Sequence, residues 1–191
     1  MSGSAAAEPH FDPGTVERIA ALLAASEPSA GRTRVLAIDG RSGAGKSSLA
    51  AQVASLIEAP VVSLEYLYGG WGDLAGGVER LRAAVLEPLA RGDLAAIPQF
   101  DWMANSWGTP FELDPPGVLV VEGVGSLAPS PSALVGVGVW LEAPEEVRRR
   151  RAELRDGGAF ASFWDQWAAQ EDELLALGHP ADRADLVLIS G

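Results

Sequence analysis

The chain contains a single lysine, Lys46, and it lies in the run Gly40-Arg41-Ser42-Gly43-Ala44-Gly45-Lys46-Ser47. The fixed positions fit G-x-x-x-x-G-K-[ST], the spacing of a loop that wraps phosphate groups. Glycine suits such a loop because the backbone can close on phosphate oxygens where a Cβ would collide. Amides from Gly40, Ser42, Gly43, Ala44 and Gly45 to Ser48, with the positive end of the following helix, would hold the anion. In that chemistry Lys46 reaches the β- and γ-phosphates of a nucleoside triphosphate and the Ser47 hydroxyl ligates magnesium. The other thirteen basic residues are all arginine. The expected ligands are therefore ATP and a magnesium ion.

Phosphoryl transfer also needs carboxylates and further cations. Glu65 follows the apolar run Val61–Leu64, at the strand end where open α/β sheets bind ligands; a helix-initiating carboxylate is the alternative. Glu122 ends Val118–Val121 and is expected to orient magnesium or its water. Asp39 is its rival for that role, or an acceptor for backbone amides. Asp101 lies among Phe100, Trp102 and Trp107, either touching substrate hydroxyls or holding an Asx turn. Those aromatic residues would form an apolar wall against a planar group or serve as ordinary core. Arg148, Arg151 and Arg155 fall at i, i+3 and i+7, on one helical face that would close over phosphates as a lid. Arg149 and Arg150 are expected in solvent.

Strands must position these groups. Val35–Ile38, Val61–Leu64, Val118–Val121, Val137–Leu141 and Leu186–Ile189 are short apolar runs typical of strands buried on both faces. Between them, helical spacing predicts helices from Asp12-Pro13, over about Ser47–Ile57, Val78–Arg91, Glu145–Arg155 and Ala161–Leu177. The alternation predicts an α/β fold: a mostly five-stranded parallel sheet between two helical layers, with a small lid. One domain over 1–191 is expected, flexible over 1–12, with an irregular substrate-side segment at about 98–116 and the lid at about 145–160, hinged near Gly157 and Gly158.

Composition narrows the function. A net charge of -12 argues against nucleic acid as a partner, since polyanion binding begins with a cationic surface. The absence of cysteine excludes disulfides and thiolate zinc sites, and two distant histidines, His10 and His179, make a histidine-rich metal centre an unsuitable reading. No window is long and apolar enough to span a bilayer, and no secretory leader is visible, so a cytoplasmic location is expected. With no lysine outside the loop, the guanine-reading [NT]-K-x-D segment of GTPases cannot exist. A small-molecule acceptor is the expected partner, with self-association left open.

Beyond the loop, the chain resembles the uridine kinase and phosphoribulokinase-like family of P-loop kinases over most of Val35–Ile189. The segment Glu65-Tyr66-Leu67-Tyr68 stands where that family has D-x-F-Y, and Pro98-Gln99-Phe100-Asp101-Trp102-Met103-Ala104-Asn105-Ser106 stands where it has P-x-Y-D-F-x-x-H-S. Val121-Glu122-Gly123 matches its V-E-G strand end, and Arg148, Arg151, Arg155 and Asp156 match its lid helix. Ala184-Asp185 matches the pair entering its last strand. The resemblance implies a three-layer nucleoside-kinase-like fold and transfer of the ATP γ-phosphoryl to a nucleoside-like hydroxyl. It implies Glu65 as the base, and Tyr68, Phe100, Asp101, Trp102, Asn105 and Glu122 around the acceptor. Glu65 replaces an aspartate, Phe100 a tyrosine and Asn105 a histidine, so the acceptor contacts differ from the family pattern. A non-nucleoside acceptor and a non-catalytic ATP-binding module are the other readings.

Overall fold

The computed structural model describes residues 9–155 and 162–190. Helix α1 (Pro13–Ala25) begins at Asp12, whose carboxylate accepts the Thr15 amide at 3.0 Å, with proline at the position where no amide is needed. Order begins before this cap, because Phe11 is buried and its amide donates to Gln52 Oε1 at 3.3 Å. Within the segment expected to be flexible, Phe11 is thus packed. Strand β1 (Arg34–Asp39) runs into the glycine loop, and α2 (Lys46–Ile57) leaves it. Strand β2 (Val61–Ser63) is shorter than its apolar run, because the chain turns at once into a 3-10 segment, Leu64–Tyr66.

The predicted Val78–Arg91 helix starts earlier and is not uniform. It comprises α3 (Leu74–Arg80), a π-helical stretch at Leu81–Leu86, and α4 (Glu87–Arg91). Pro88 accounts for the widening: it has no amide for the preceding turn, and its ring crowds the carbonyl four residues back. Gly92 stops α4 at φ 80°.

The segment expected to be irregular contains short ladders instead. Strands β3 (Ala95–Ile97) and β6 (Phe111–Leu113) pair antiparallel, as do β4 (Phe100–Asp101) and β5 (Ser106–Trp107). Runs of two or three residues are too short for alternation to register in a sequence. The chain continues through β7 (Val118–Glu122), α5 (Pro129–Ser132), β8 (Val137–Glu142), α6 (Glu145–Arg155), α7 (Trp164–Ala176) and β9 (Leu186–Ile189).

The main sheet has the order β2-β7-β1-β8-β9, and every pairing in it is parallel. Its strands alternate between two cores. Leu36 and Ile38 of β1 and Val120 of β7 pack with Ile19 and Leu23 of α1 and Leu49 and Val53 of α2. Val35, Ala37, Leu119 and Val121 face the opposite way, toward Val78, Leu81, Leu89, Trp164 and Leu174. This is the expected three-layer arrangement. Register aligns Ile38 and Ser63 with Glu122, and Asp39 with Trp140. Asp39, Glu122 and the start of the Glu65 turn therefore share the carboxyl end of the sheet, beside β1, where successive connections diverge. Among the described residues no helix is long and apolar enough to cross a membrane.

Ile38 is fully buried in the central strand, one residue before Asp39. Ile38→Ala is expected to lower the unfolding free energy by about 2–5 kcal/mol in urea titrations. Leu56→Ala, at a site 52% exposed, should change it by only about 0.5 kcal/mol. Equal effects at the two positions would contradict the layer assignment.

Candidate active site

The loop between β1 and α2 turns by left-handed steps that glycine permits. Gly43 has φ 79°, and a Cβ there would lie 2.2 Å from the Arg148 carbonyl oxygen. Asp39 anchors the entry to this loop. Its carboxylate is buried and accepts three amides, from Gly40 at 2.7 Å, Gly125 at 2.9 Å and Leu127 at 2.8 Å. This matches the reading of Asp39 as a backbone acceptor. Burial pushes the Asp39 carboxyl up to about 6, against the opposing pull of those amides and of Lys46. Lys46 is also buried, and its ammonium group donates to the Arg41 carbonyl at 3.1 Å. Burial lowers its pKa, while Glu122, Glu171 and Asp39 act to raise it.

Helix α6 turns its expected arginine face toward this loop, but the three side chains do different things. Arg148 is buried, donating from Nε to the Ala143 carbonyl at 3.1 Å and from Nη1 to the Ser42 carbonyl at 3.2 Å. It braces the loop's backbone, whereas the lid reading places it over phosphates; desolvation pulls its pKa down. Arg151 donates to Ser190 Oγ at 2.9 Å, and that hydroxyl donates to the Ala44 carbonyl at 2.6 Å. Arg155 lines the cavity described below and is close enough to depress Lys46. Arg149 pairs with Glu153 at the surface. Gly157 and Gly158, the expected hinge, and Asp156 lie outside the described residues.

A cavity of about 340 Å³ opens at the carboxyl end of the sheet. Ser42, Gly43, Lys46, Ser47 and Arg155 line it from the loop and α6, and Glu65, Tyr68, Trp71, Trp102, Met103 and Trp167 supply a mainly aromatic wall. Ser63, Glu122, Gly123 and Val124, at the ends of β2 and β7, complete the lining. Glu65 sits in the 3-10 turn, held by the Ser63 hydroxyl, and its carbonyl accepts the Trp102 indole N–H at 3.0 Å. Trp71 packs against Trp102 with centroids 4.7 Å apart and stacks on Phe163 at 5.1 Å. Tyr68 meets Trp167 edge to face at 4.9 Å and donates to the Val124 carbonyl at 2.9 Å. Burial pushes its phenol well up, so it stays a donor.

Three expected acceptor residues lie outside that lining. Phe100 is buried and packs edge-on against Trp102 at 5.4 Å, supporting the wall from behind. Asp101 Oδ1 accepts the Met103 and Ala104 amides, each at 2.9 Å, which is the turn-holding alternative. Asn105 takes φ 48° in the same turn, a conformation asparagine tolerates. Trp71, Trp167 and Glu171 were not singled out for the site from sequence. Trp71 has no periodic neighbours, Trp167 reads from sequence, with Phe163 and Trp164 at helical spacing, as core or lid packing, and Glu171 carries no local signal.

Ser47 and Glu122 both line the cavity, one hydroxyl and one buried carboxylate. Among the described residues there is no cluster of three carboxylate or imidazole ligands. That donor set suits magnesium, which commonly takes one or two carboxylates and completes its shell with phosphate oxygens and water.

Asp39 generates a pH prediction. Its folded pKa, about 6, exceeds the value of 3.8 for an unfolded aspartate, so the folded chain holds the extra proton between those limits. Its contribution to stability is thus full below about pH 4 and is lost as pH rises through about 6, a change of about 3 kcal/mol. Asp39→Asn cannot titrate. The stability difference between wild type and Asp39→Asn, from urea unfolding, should shift by that amount and in that direction over the window; a flat difference would contradict it.

No family model matches the chain, and no curated protein matches it. Solved structures do. A possible uridine kinase from Bacillus stearothermophilus superposes with a TM-score of 0.68 at 20% identity, covering 92% of this chain and 97% of that one. A putative fructose transport system kinase from Silicibacter sp. TM1040 gives 0.59 at 20% identity with the same coverage. The chain therefore has the three-layer fold of P-loop kinases of the uridine kinase and phosphoribulokinase type.

Proposed function

We propose that the protein is an ATP-dependent kinase that phosphorylates a hydroxyl of an uncharged nucleoside or nucleoside-like molecule. The observation that carries this reading is the continuity of one cavity from the phosphate loop to Glu65 and the tryptophans. A γ-phosphoryl group bound by the loop and an acceptor held on the aromatic wall would be neighbours, the proximity such transfer needs.

Each residue then has a task. Loop amides bind the triphosphate, and Lys46 neutralises charge on its terminal groups. Ser47 and Glu122 would hold magnesium, which supplies further neutralisation when bound. Glu65 takes the proton from the acceptor hydroxyl as its oxygen bonds to the γ-phosphorus and ADP leaves. Arg155 adds positive charge at the loop. Trp71, Trp102 and Trp167 offer faces and edges for a planar group.

Charge supports an acceptor without phosphate or carboxylate. The cations of the cavity lining are Lys46 and Arg155; Lys46 belongs to the loop, and Arg155 to the helix that braces it. The aromatic wall contributes the Glu65 carboxylate and no cation among the described residues, so a second anion there would be repelled.

A panel of nucleosides, nucleoside monophosphates and sugars in an ATP-consumption assay tests the reading. Turnover with at least one nucleoside and none with its monophosphate is expected. Turnover confined to sugars would move the assignment to a non-nucleoside acceptor, and none with any acceptor would remove the kinase reading. Lys46→Ala should lower kcat by about a thousandfold or more with the fold intact. Glu65→Gln should lower kcat by about a hundredfold or more while KM for ATP stays within about twofold. A Glu65→Gln enzyme with wild-type kcat would exclude Glu65 as the base.

A further inference from the structure

Glu171 is a buried carboxylate on α7 that the kinase chemistry does not use. It is 2% exposed, and both of its oxygens accept hydrogen bonds. Oε1 accepts the Ser42 amide of the phosphate loop at 2.8 Å and also the Trp167 indole N–H at 3.0 Å. Oε2 accepts Arg41 Nε at 2.9 Å, and Arg41 further contacts Asp172 and donates to the Ala168 carbonyl at 3.4 Å. Trp167 lines the aromatic wall, edge-on to Tyr68 at 4.9 Å and to Trp71 at 6.1 Å.

We propose that Glu171 is a positioning residue that couples the phosphate loop to the acceptor wall, because one carboxylate oxygen holds both Ser42 and the Trp167 indole. The proposal rests on the kinase reading above and goes beyond it by assigning a route between the two halves of the cavity. A buried charge is costly to keep if helix docking is its only role, since an apolar residue of similar size would dock at least as well. Here the negative charge lies beside the loop that receives a polyanion. Phosphate groups arriving at the loop repel this carboxylate and compete for its amide. Because the same oxygen also accepts the Trp167 indole N–H, a shift of the carboxylate as the loop's contact changes carries the indole with it. Trp167 in turn packs on Tyr68 and Trp71, so the wall that receives the acceptor feels the occupancy of the nucleotide half. Ordered binding, or a tighter acceptor site once ATP is in place, would follow by linkage.

Fluorine NMR of the full chain labelled with fluorotryptophan tests this, with the Trp167 resonance assigned by its loss in Trp167→Phe. Magnesium ATP is the probe, and the heat of binding is recorded on the same samples. In the wild type the Trp167 resonance should move along the same saturation curve as the heat. In Glu171→Leu the heat should persist while the Trp167 displacement falls at least fivefold. Glu171→Met, equally long and without a strong acceptor, provides a second disconnecting variant should the first not fold. Glu171→Gln keeps an oxygen that can accept both N–H groups but carries no charge and turns a donor toward Arg41, so its displacement should fall between those of the wild type and the disconnecting variants. A Trp167 resonance that stays fixed in the wild type despite binding heat, or one that follows ATP equally in the disconnecting variants, would overturn the proposal. Absence of binding heat in the wild type would instead remove the nucleotide-binding reading, and this proposal with it.

Discussion

A loop proposed to bind phosphate must hold its amides convergent, and backbone in left-handed turns does not do so unaided. In this chain the constraint is met by acceptors and donors from outside the loop. Asp39 fixes its entry through Gly40 and ties it to the turn after β7 through Gly125 and Leu127. Arg148 holds the Ser42 carbonyl, and Ser190 the Ala44 carbonyl. The loop is therefore clamped by β1, α6 and the residue after β9. Such preorganisation is what makes electrostatic stabilisation effective, since donors already in place need not reorganise when charge develops.

The rest of the architecture serves that clamp. Parallel pairing brings the carboxyl ends of β2, β7 and β1 into line, so Glu122 and the Glu65 turn face the same crevice as Lys46. The two cores on either side of the sheet fix α2 behind the loop and α7 in front of it. Because α7 carries both Trp167 and Glu171, the helix that closes the aromatic wall is also the one that touches the phosphate loop. Under the proposed function, the places for the two substrates are in this way built on shared parts.

Much of this was legible in the residues. The loop shows itself because its requirements are local: glycines at fixed spacing, one lysine, a strand before and a helix after. The central strands β1, β7 and β8 show themselves because doubly buried strands are unbroken apolar runs; the edge strands β2 and β9 are apolar runs too, although Val61, Val187 and Ile189 are exposed, and α6 shows itself because its arginines keep helical spacing. What escaped depends on contacts far apart in sequence. The pairing of β3 with β6 joins runs of three residues across an intervening hairpin. The π-helical stretch follows from one proline inside a good helical pattern. Arg148 has the right spacing for a lid, and only the docking of α6 shows it bonded to loop carbonyls. Glu171 meets Ser42 across a separation of 129 residues, which no local pattern encodes. Asp101 illustrates a different limit, since an acidic residue in an aromatic segment fits either a substrate contact or a turn, and the Met103 and Ala104 amides decide what it does in the fold.

The proposed function requires the amides and ammonium group between Gly40 and Ser48 to grip a nucleoside triphosphate. Amide NMR of the nitrogen-labelled protein titrated with magnesium ATP addresses it at the atoms concerned. Saturable shifts should concentrate on the amides of Gly43, Gly45, Lys46 and Ser47, with small changes along α1 and β9. Resonances of the loop that stay unmoved at saturating nucleotide, or shifts concentrated elsewhere, would contradict triphosphate binding at this loop.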